Sequence, residues 1–242
     1  EYTGYFAKVE ASYLDLALDW VSDIYLNSLL PNQEIEKERG VIIEEINMYL
    51  DTPTIYIDEL WQKLLYGDQP AGWSVAGTKE NVSKIKREQI LNYMRSQYVA
   101  KNTIVCISGK IDSKEVVRKV RKYFSKIRTT NPVSKKPVVE KQSKPESLVY
   151  FKKTDQTHIS LGVRGFNISH PQRYAQELLG IILGGMMSSR LFVEVREKLG
   201  IAYYIKTDVS ANPDTGYLTT LAGVDNRRVK LAISTILREY RK

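Results

Sequence analysis

Hydrophobic and polar positions along the chain switch between two periods, and the switches mark the elements. Tyr2 to Val9 (YTGYFAKV) is aromatic, β-rich and roughly alternating, which predicts a strand. Ala11 to Leu30 carries Leu14, Leu18, Val21, Tyr25 and Leu29 down one side, which predicts an amphipathic helix that Pro31-Asn32 breaks. A second helix is expected over Glu34 to Tyr49, ended by Thr52-Pro53, and a short third over Ile55 to Tyr66. Gly67 to Gly77, with three Gly, one Pro and Trp73, reads as an exposed loop. Two short helices opened by Thr78 and Asn81 follow, ending near Tyr98 and including Arg87 to Tyr98. Thr103 to Ser108 (TIVCIS) reads as a buried-type strand, and Asp112 caps a helix over Ser113 to Ile127 with Val116, Val117, Val120 and Phe124 inward. Beyond it, Leu148 to Lys152 and Thr157 to Val163 read as strands, and Tyr174 to Leu183 and Ser188 to Leu199 as helices, the second closed by Gly200. Ala202 to Val209 and Gly216 to Ala222 read as strands, and Asp225 caps a last helix.

The pattern fails over the stretch around residues 128–147, where three Pro, several Lys and Ser and no periodicity predict a linker. The expected organisation is a first domain over 1–128, a linker over 129–147 and a second domain over 148–242. A weak internal echo agrees. Thr103 to Ile127 and Leu218 to Tyr240 both run strand, short Gly-containing turn, capping Asp, helix.

Charge changes the picture of the second helix. Glu34, Glu36 and Glu38 load its first turns, where the helix dipole favours them. A heptad seam runs Ile35, Glu38, Ile42, Glu45, Tyr49. At about 100° per residue, the seven residues from Glu38 to Glu45 bring the two carboxylates to one side. If that stripe faces the core, each carboxylate needs a cation or strong donors. If Val41, Ile43, Ile46 and Leu50 form the buried face instead, both simply reach solvent.

Composition is globular, with 43% hydrophobic and 26% charged residues, and no apolar run approaches the roughly 20 residues of a membrane span. No membrane partner is therefore expected. The chain starts mid-pattern at Glu1 without a Met, so an upstream segment is expected. The single Cys106 forbids an internal disulfide, reads as a small buried hydrophobe and leaves the compartment open. The net charge of +8 divides unevenly, with residues 1–60 strongly acidic and the rest basic. Such a division suits a charged cavity or two facing domains. A basic nucleic-acid-binding protein would also fit the balance, but no basic motif interleaved with aromatics supports it, so no nucleic-acid partner is expected.

Glu38-Arg39-Gly40-Val41-Ile42-Ile43-Glu44-Glu45-Ile46 resembles the signature that follows the zinc motif in pitrilysin and insulinase-type peptidases. Gly184 to Ile205 (GGMMSSRLFVEVREKLGIAYYI) is similar to the second-domain signature of the same family. Both fit the branch of bacterial proteases like the mitochondrial processing peptidase, as do Glu1 to Val9, the Ala11 to Leu30 helix and the Gly72 to Thr78 loop. The resemblance runs in order along essentially the whole chain. It implies an α+β fold: two homologous domains, each an antiparallel-rich sheet with helices packed on it, both incomplete in this chain. It implies zinc as cofactor and peptides as substrate, held in a closed two-domain chamber, and leaves a homodimer open.

The resemblance also assigns residues. Glu45 would be the distant zinc ligand and Glu38 a supporting acid; at about 1.5 Å rise per residue the two backbones stand roughly 10 Å apart, too far for both to ligate one ion easily. Arg196 and Tyr203 would face the zinc from the second domain and bind substrate, donating to the carbonyl oxygen as charge develops on it. Read without the family, Arg196 is a cation at a helix C-terminus and Tyr203 an ordinary strand residue. Arg190 fits a structural ion pair, and Met186 and Met187 fit packing. The chain departs from the family in having no H-x-x-E-H. Its only histidines are His158, expected to be structural in a strand, and His170, expected to be exposed before Pro171. The remaining ligands would lie upstream of residue 1, so the chain reads as the middle of a two-domain peptidase and as inactive alone. A non-catalytic, peptide-binding member of the family is the alternative.

Overall fold

The computed structural model describes residues 2–242. Helices α1 (Leu14–Leu26), α2 (Asn32–Asp51), α3 (Pro53–Tyr66), α4 (Lys79–Lys84), α5 (Arg87–Gln97) and α6 (Ser113–Tyr123) come first. Then follow strand β1 (Gln156–Arg164), helix α7 (Arg173–Gly180), strands β2 (Ala202–Ala211) and β3 (Gly216–Asp225), and helix α8 (Val229–Tyr240). This is an α+β chain, in order and type close to the pattern read from the sequence.

The chain divides into two compact units, Glu1–Ile43 with Lys79–Lys135, and Glu44–Thr78 with Lys136–Lys242. The division falls inside α2, and residues 44–78 group with the C-terminal residues instead of following the boundary expected at 129–147. The cause is α3. Its Trp61, Leu65 and Tyr66 are buried against Tyr217 of β3, with the Trp61 and Tyr217 rings edge to face at 5.9 Å.

In the N-terminal unit an aromatic cluster joins the elements. Tyr25 of α1 stacks on Tyr98 at 4.8 Å and meets Tyr5 edge-on at 5.7 Å, and its hydroxyl lies 2.7 Å from Thr103 Oγ1. Burial, then the hydrogen bond with Tyr5, push the Tyr98 phenol well above its ordinary range. Arg39 of α2 donates to the carbonyls of Val82 at 3.0 Å and Ile85 at 2.7 Å and pairs with Glu36. Asp112 caps α6 by accepting from the Glu115 N–H at 2.8 Å. On α6 Val116 is buried, while Val117 is half exposed.

Tyr2–Val9 and Thr103–Ser108, expected as strands, lie in no ladder, and neither does Leu148–Lys152. Strand-forming side chains are present, but a strand exists only when a neighbour takes its backbone hydrogen bonds, and none does among the described residues. With no sheet around it, Cys106 is exposed instead of buried.

The C-terminal unit does contain a sheet, antiparallel, in the order β1-β3-β2. Central β3 is buried from Gly216 to Val224, because both faces are covered. Leu218, Ala222 and Val224 turn to a core with Leu191, Val195, Ala232 and Ile236, while Tyr217 turns to α3. Opposite parity on one strand means opposite faces. The segment between α7 and β2 is wound wider than an α-helix over Ile181–Gly185 and Phe192–Lys198. Gly184 breaks it at φ −159°, where a Cβ would stand 2.3 Å from Thr207 Oγ1.

Candidate functional site

Helix α2 carries the acidic candidates. Its semi-buried face is Ile35, Arg39, Ile42, Ile43 and Leu50, with Ile46 buried, and Glu38, Glu44 and Glu45 are exposed. The face is a mixture of the two arrangements open from the sequence: Ile43, Ile46 and Leu50 turn inward but Val41 is exposed, while Ile35, Ile42 and Tyr49 of the heptad seam are semi-buried; both carboxylates still reach solvent, so neither pays a burial cost. Glu38 makes no hydrogen bond or ion pair among the described residues. Glu45 accepts a hydrogen bond from the Tyr49 hydroxyl, one helical turn on. That bond, then burial, raises the Tyr49 phenol above its ordinary value. Tyr49 was visible in the sequence only as an apolar member of the seam; spacing i to i+4 is the signal that could have placed its hydroxyl on Glu45.

The second constellation sits around the start of β2. Arg196 lies in the last turn of the wide-wound Phe192–Lys198 stretch, exposed, with its guanidinium carbon 4.9 Å from the Phe192 ring centre. It has no carboxylate partner among the described residues. In the β2–β3 ladder Ala202 faces Val224 and Tyr204 faces Gly223, so Tyr203 is the extra residue of a β-bulge. A bulge re-aims a side chain off the regular alternation. Tyr203 is 60% exposed, and its hydroxyl makes no hydrogen bond among the described residues. Within this unit no hydrogen bond or ion pair joins Glu45, Arg196 and Tyr203.

Neighbouring residues have structural work. Arg190 donates to the buried Glu239 carboxylate and to the Glu239 carbonyl, both at 2.9 Å, and Lys242 reaches the same carboxylate at 2.7 Å. Burial alone would raise the Glu239 pKa; the hydrogen bonds from Lys242 and Arg190 outweigh it and hold the carboxyl below its ordinary value. Arg190 is thus the ion-pair residue the sequence suggested. Met186 and Met187 are not packing residues, being 57% and 74% exposed. His158 of β1 lies 2.9 Å from the Tyr204 hydroxyl, and burial lowers its pKa. His170, expected to be exposed, is half-buried with its ring stacked on Phe166 at 3.9 Å, and its Nδ1 accepts from the Gln172 N–H.

With this geometry in hand, the comparisons with known proteins are decisive about family. Residues 84–242 match the family described as "Peptidase M16 inactive domain", and residues 1–79 match "Insulinase (Peptidase family M16)". The chain belongs to the M16 peptidase family. The M16 chain is 32% identical over 238 residues to the "Uncharacterized zinc protease YmxG" of Bacillus subtilis, which covers 98% of this chain and 57% of the relative. It matches the crystal structure of a protease from Helicobacter pylori at a TM-score of 0.83 and 20% identity, covering 93% of this chain and 57% of that one. A structure titled as a peptidase M16 inactive domain from Pseudomonas fluorescens matches at 0.83 and 18%, covering 95% and 57%. At these identities the structural likeness is one of fold. It agrees with the mixed helical and antiparallel architecture of this partial M16 chain, which spans a little over half the length of these relatives.

Zinc is implied by the relatives' names, and the residues present do not make a site for it. Among the described residues no group of three or more His, Cys, Asp and Glu stands together. Glu45 is a single carboxylate held by a phenol, and both histidines are engaged elsewhere in the C-terminal unit.

Proposed function

We propose that this chain is part of a zinc metalloendopeptidase that hydrolyses peptides or unfolded segments. The match of both halves of the chain, in order, to M16 family descriptions carries this reading. In it, Glu45 is one carboxylate donor to a zinc whose other ligands lie outside these residues, and Glu38 is a supporting acid. Arg196 and Tyr203 take the substrate, their guanidinium and phenol donating to a peptide carbonyl oxygen. The bulge at Tyr203 and the unpaired guanidinium of Arg196 support that role, since both leave donors free for a ligand. No step at the metal is derived, because the donor set is not here.

The test uses the longer polypeptide to which the chain belongs. Glu45→Gln is expected to lose zinc and peptide hydrolysis together; stoichiometric zinc in that variant would remove Glu45 from the ligand set. Tyr203→Phe is expected to keep its zinc and lose about 10²-fold in kcat, the scale of one donor to a developing oxyanion. Undiminished turnover would take Tyr203 out of the reaction.

A second reading has its own observation. The larger matched region carries the description "inactive domain", and no cluster of metal donors exists among the described residues. A family member that binds peptides without cleaving them would fit both. It predicts peptide binding, sensitive to Arg196→Ala, with no zinc and no turnover in the longer polypeptide.

A further inference from the structure

Helix α6 of the N-terminal unit divides its residues between two faces. The inner side carries Val116, Val120, Tyr123 and, at the C-cap, Phe124, whose ring lies 6.2 Å from that of Tyr25 on α1. Opposite it stand Lys114, Arg118, Arg121 and Lys122, all exposed. At about 100° per residue, these four share an arc of about 100° of the helix circumference, and no acid falls inside it. Glu115 lies at the edge and pairs with Lys119 at 2.9 Å, which also holds Asp15 of α1 at 2.7 Å. Asp112 is engaged in capping the helix. The four outer cations make no ion pair among the described residues. Lys122 has a ring contact, its ammonium 5.5 Å from the Tyr123 ring centre.

Solvation of a helix face does not call for this arrangement. Unlike charges three or four residues apart support a helix, and like charges at that spacing weaken it. The outer face of α6 places like charges together at Lys114 and Arg118, at Arg118 and Arg121, and at Arg118 and Lys122. On the flank, by contrast, Lys119 has two acids. The outer row therefore weakens its own helix, and a partner of opposite charge would offset that.

The geometry narrows the partner. From Lys114 to Lys122 the row extends about 12 Å along the axis, at roughly 1.5 Å per residue, too far for one phosphate to meet. It needs a row or a plane of anions. The face has no Asn or Gln for a base edge and no aromatic ring for a base, since Tyr123 turns to the inner flank and donates to Asp15. Apolar surface adjoins it instead, with Val117 beside Arg121 50% exposed and Ile111 ahead of the helix 38% exposed. Cations with apolar neighbours on a helix suit the headgroup layer of an anionic bilayer. We propose that the outer face of α6 docks the protein on anionic phospholipid headgroups. The helix lies along the membrane surface, its inner side staying packed on α1. No helix among the described residues is long and apolar enough to cross a membrane. The expectation of no membrane partner came from the same lack of an apolar run, which bears on spanning a bilayer and not on resting against one. The inference rests on α6 and stands apart from the peptidase reading.

Co-sedimentation of the longer polypeptide with lipid vesicles tests it. Vesicles of mixed phosphatidylglycerol and phosphatidylcholine should carry the protein down, vesicles of phosphatidylcholine alone should not, and added salt should release it. Arg118→Gln with Arg121→Gln should weaken the partition about thirtyfold, the scale of two surface cations lost. Lys141→Gln with Lys144→Gln, an equal loss of charge at exposed positions away from α6, should leave it almost unchanged. Absence of sedimentation with the anionic vesicles overturns the proposal. So does an equal loss in the two double variants, which would mean that net charge alone is at work. Binding to duplex DNA that needs Arg118 and Arg121, with none to vesicles, would make nucleic acid the partner and overturn it as well. Should the first variant lose its thermal transition, Lys114→Gln with Lys122→Gln takes its place and carries the same expectation.

Discussion

Single residues show where chemistry and structure part company. Arg190 and Arg196 lie six apart in one segment and look alike in sequence, yet one is spent on Glu239 and the other lies over the Phe192 ring with no carboxylate partner among the described residues. Arg190→Ala leaves the buried Glu239 carboxylate with Lys242 as its main cation, and should cost about 1–3 kcal/mol in chemical denaturation. That is below the loss from a fully buried pair, since Arg190 and Lys242 both reach solvent. The same carboxylate predicts acid lability. Its folded pKa is depressed below the ordinary value of 4.5, so its contribution is fully present above about pH 4.5 and is lost as pH falls through the folded value. Thermal melts from pH 6 downward should show that loss, and Glu239→Gln should flatten it. Glu38 and Glu45 were legible as candidates from their seven-residue spacing. Their exposure was not, because spacing fixes direction on a helix and says nothing of what packs against it.

Elements were read well where local signals are strong. Proline and threonine bound α2 and α3, and Asp112 starts α6 where a capping side chain was expected. The wide winding between α7 and β2 was not legible, because no local pattern marks it. Gly184 lies so close to Thr207 that a side chain there would force its neighbours to shift. Gly184→Ala should therefore destabilise the C-terminal unit by about 1–3 kcal/mol, measured by denaturant midpoint, as overpacking does in a filled core. An undisturbed midpoint would mean that Thr207 and its strand yield freely. The bulge at Tyr203 was equally hidden. A strand read from alternation has no irregularity, and only pairing with β3 creates the extra residue that frees the phenol.

For the whole molecule the prediction concerns metal. These 242 residues hold Glu45 but no cluster of donors among those described, so the isolated chain should retain well under one zinc after dialysis against metal-free buffer. About one tightly held zinc would show that a donor set forms that the structure does not display. By itself the sequence determined the element order, the α+β class and the family, because these depend on local periodicity, caps and two long signatures in order. Tertiary structure alone decided which expected strands become strands. β1 to β3 find one another, and β3 between the other two is buried on both faces, whereas Tyr2–Val9 and Thr103–Ser108 keep the side chains of strands without the hydrogen bonds. It also decided that α3 groups with the C-terminal residues. The partner of Trp61 was not legible, since burial against Tyr217 is a contact across more than 150 residues that no local pattern encodes.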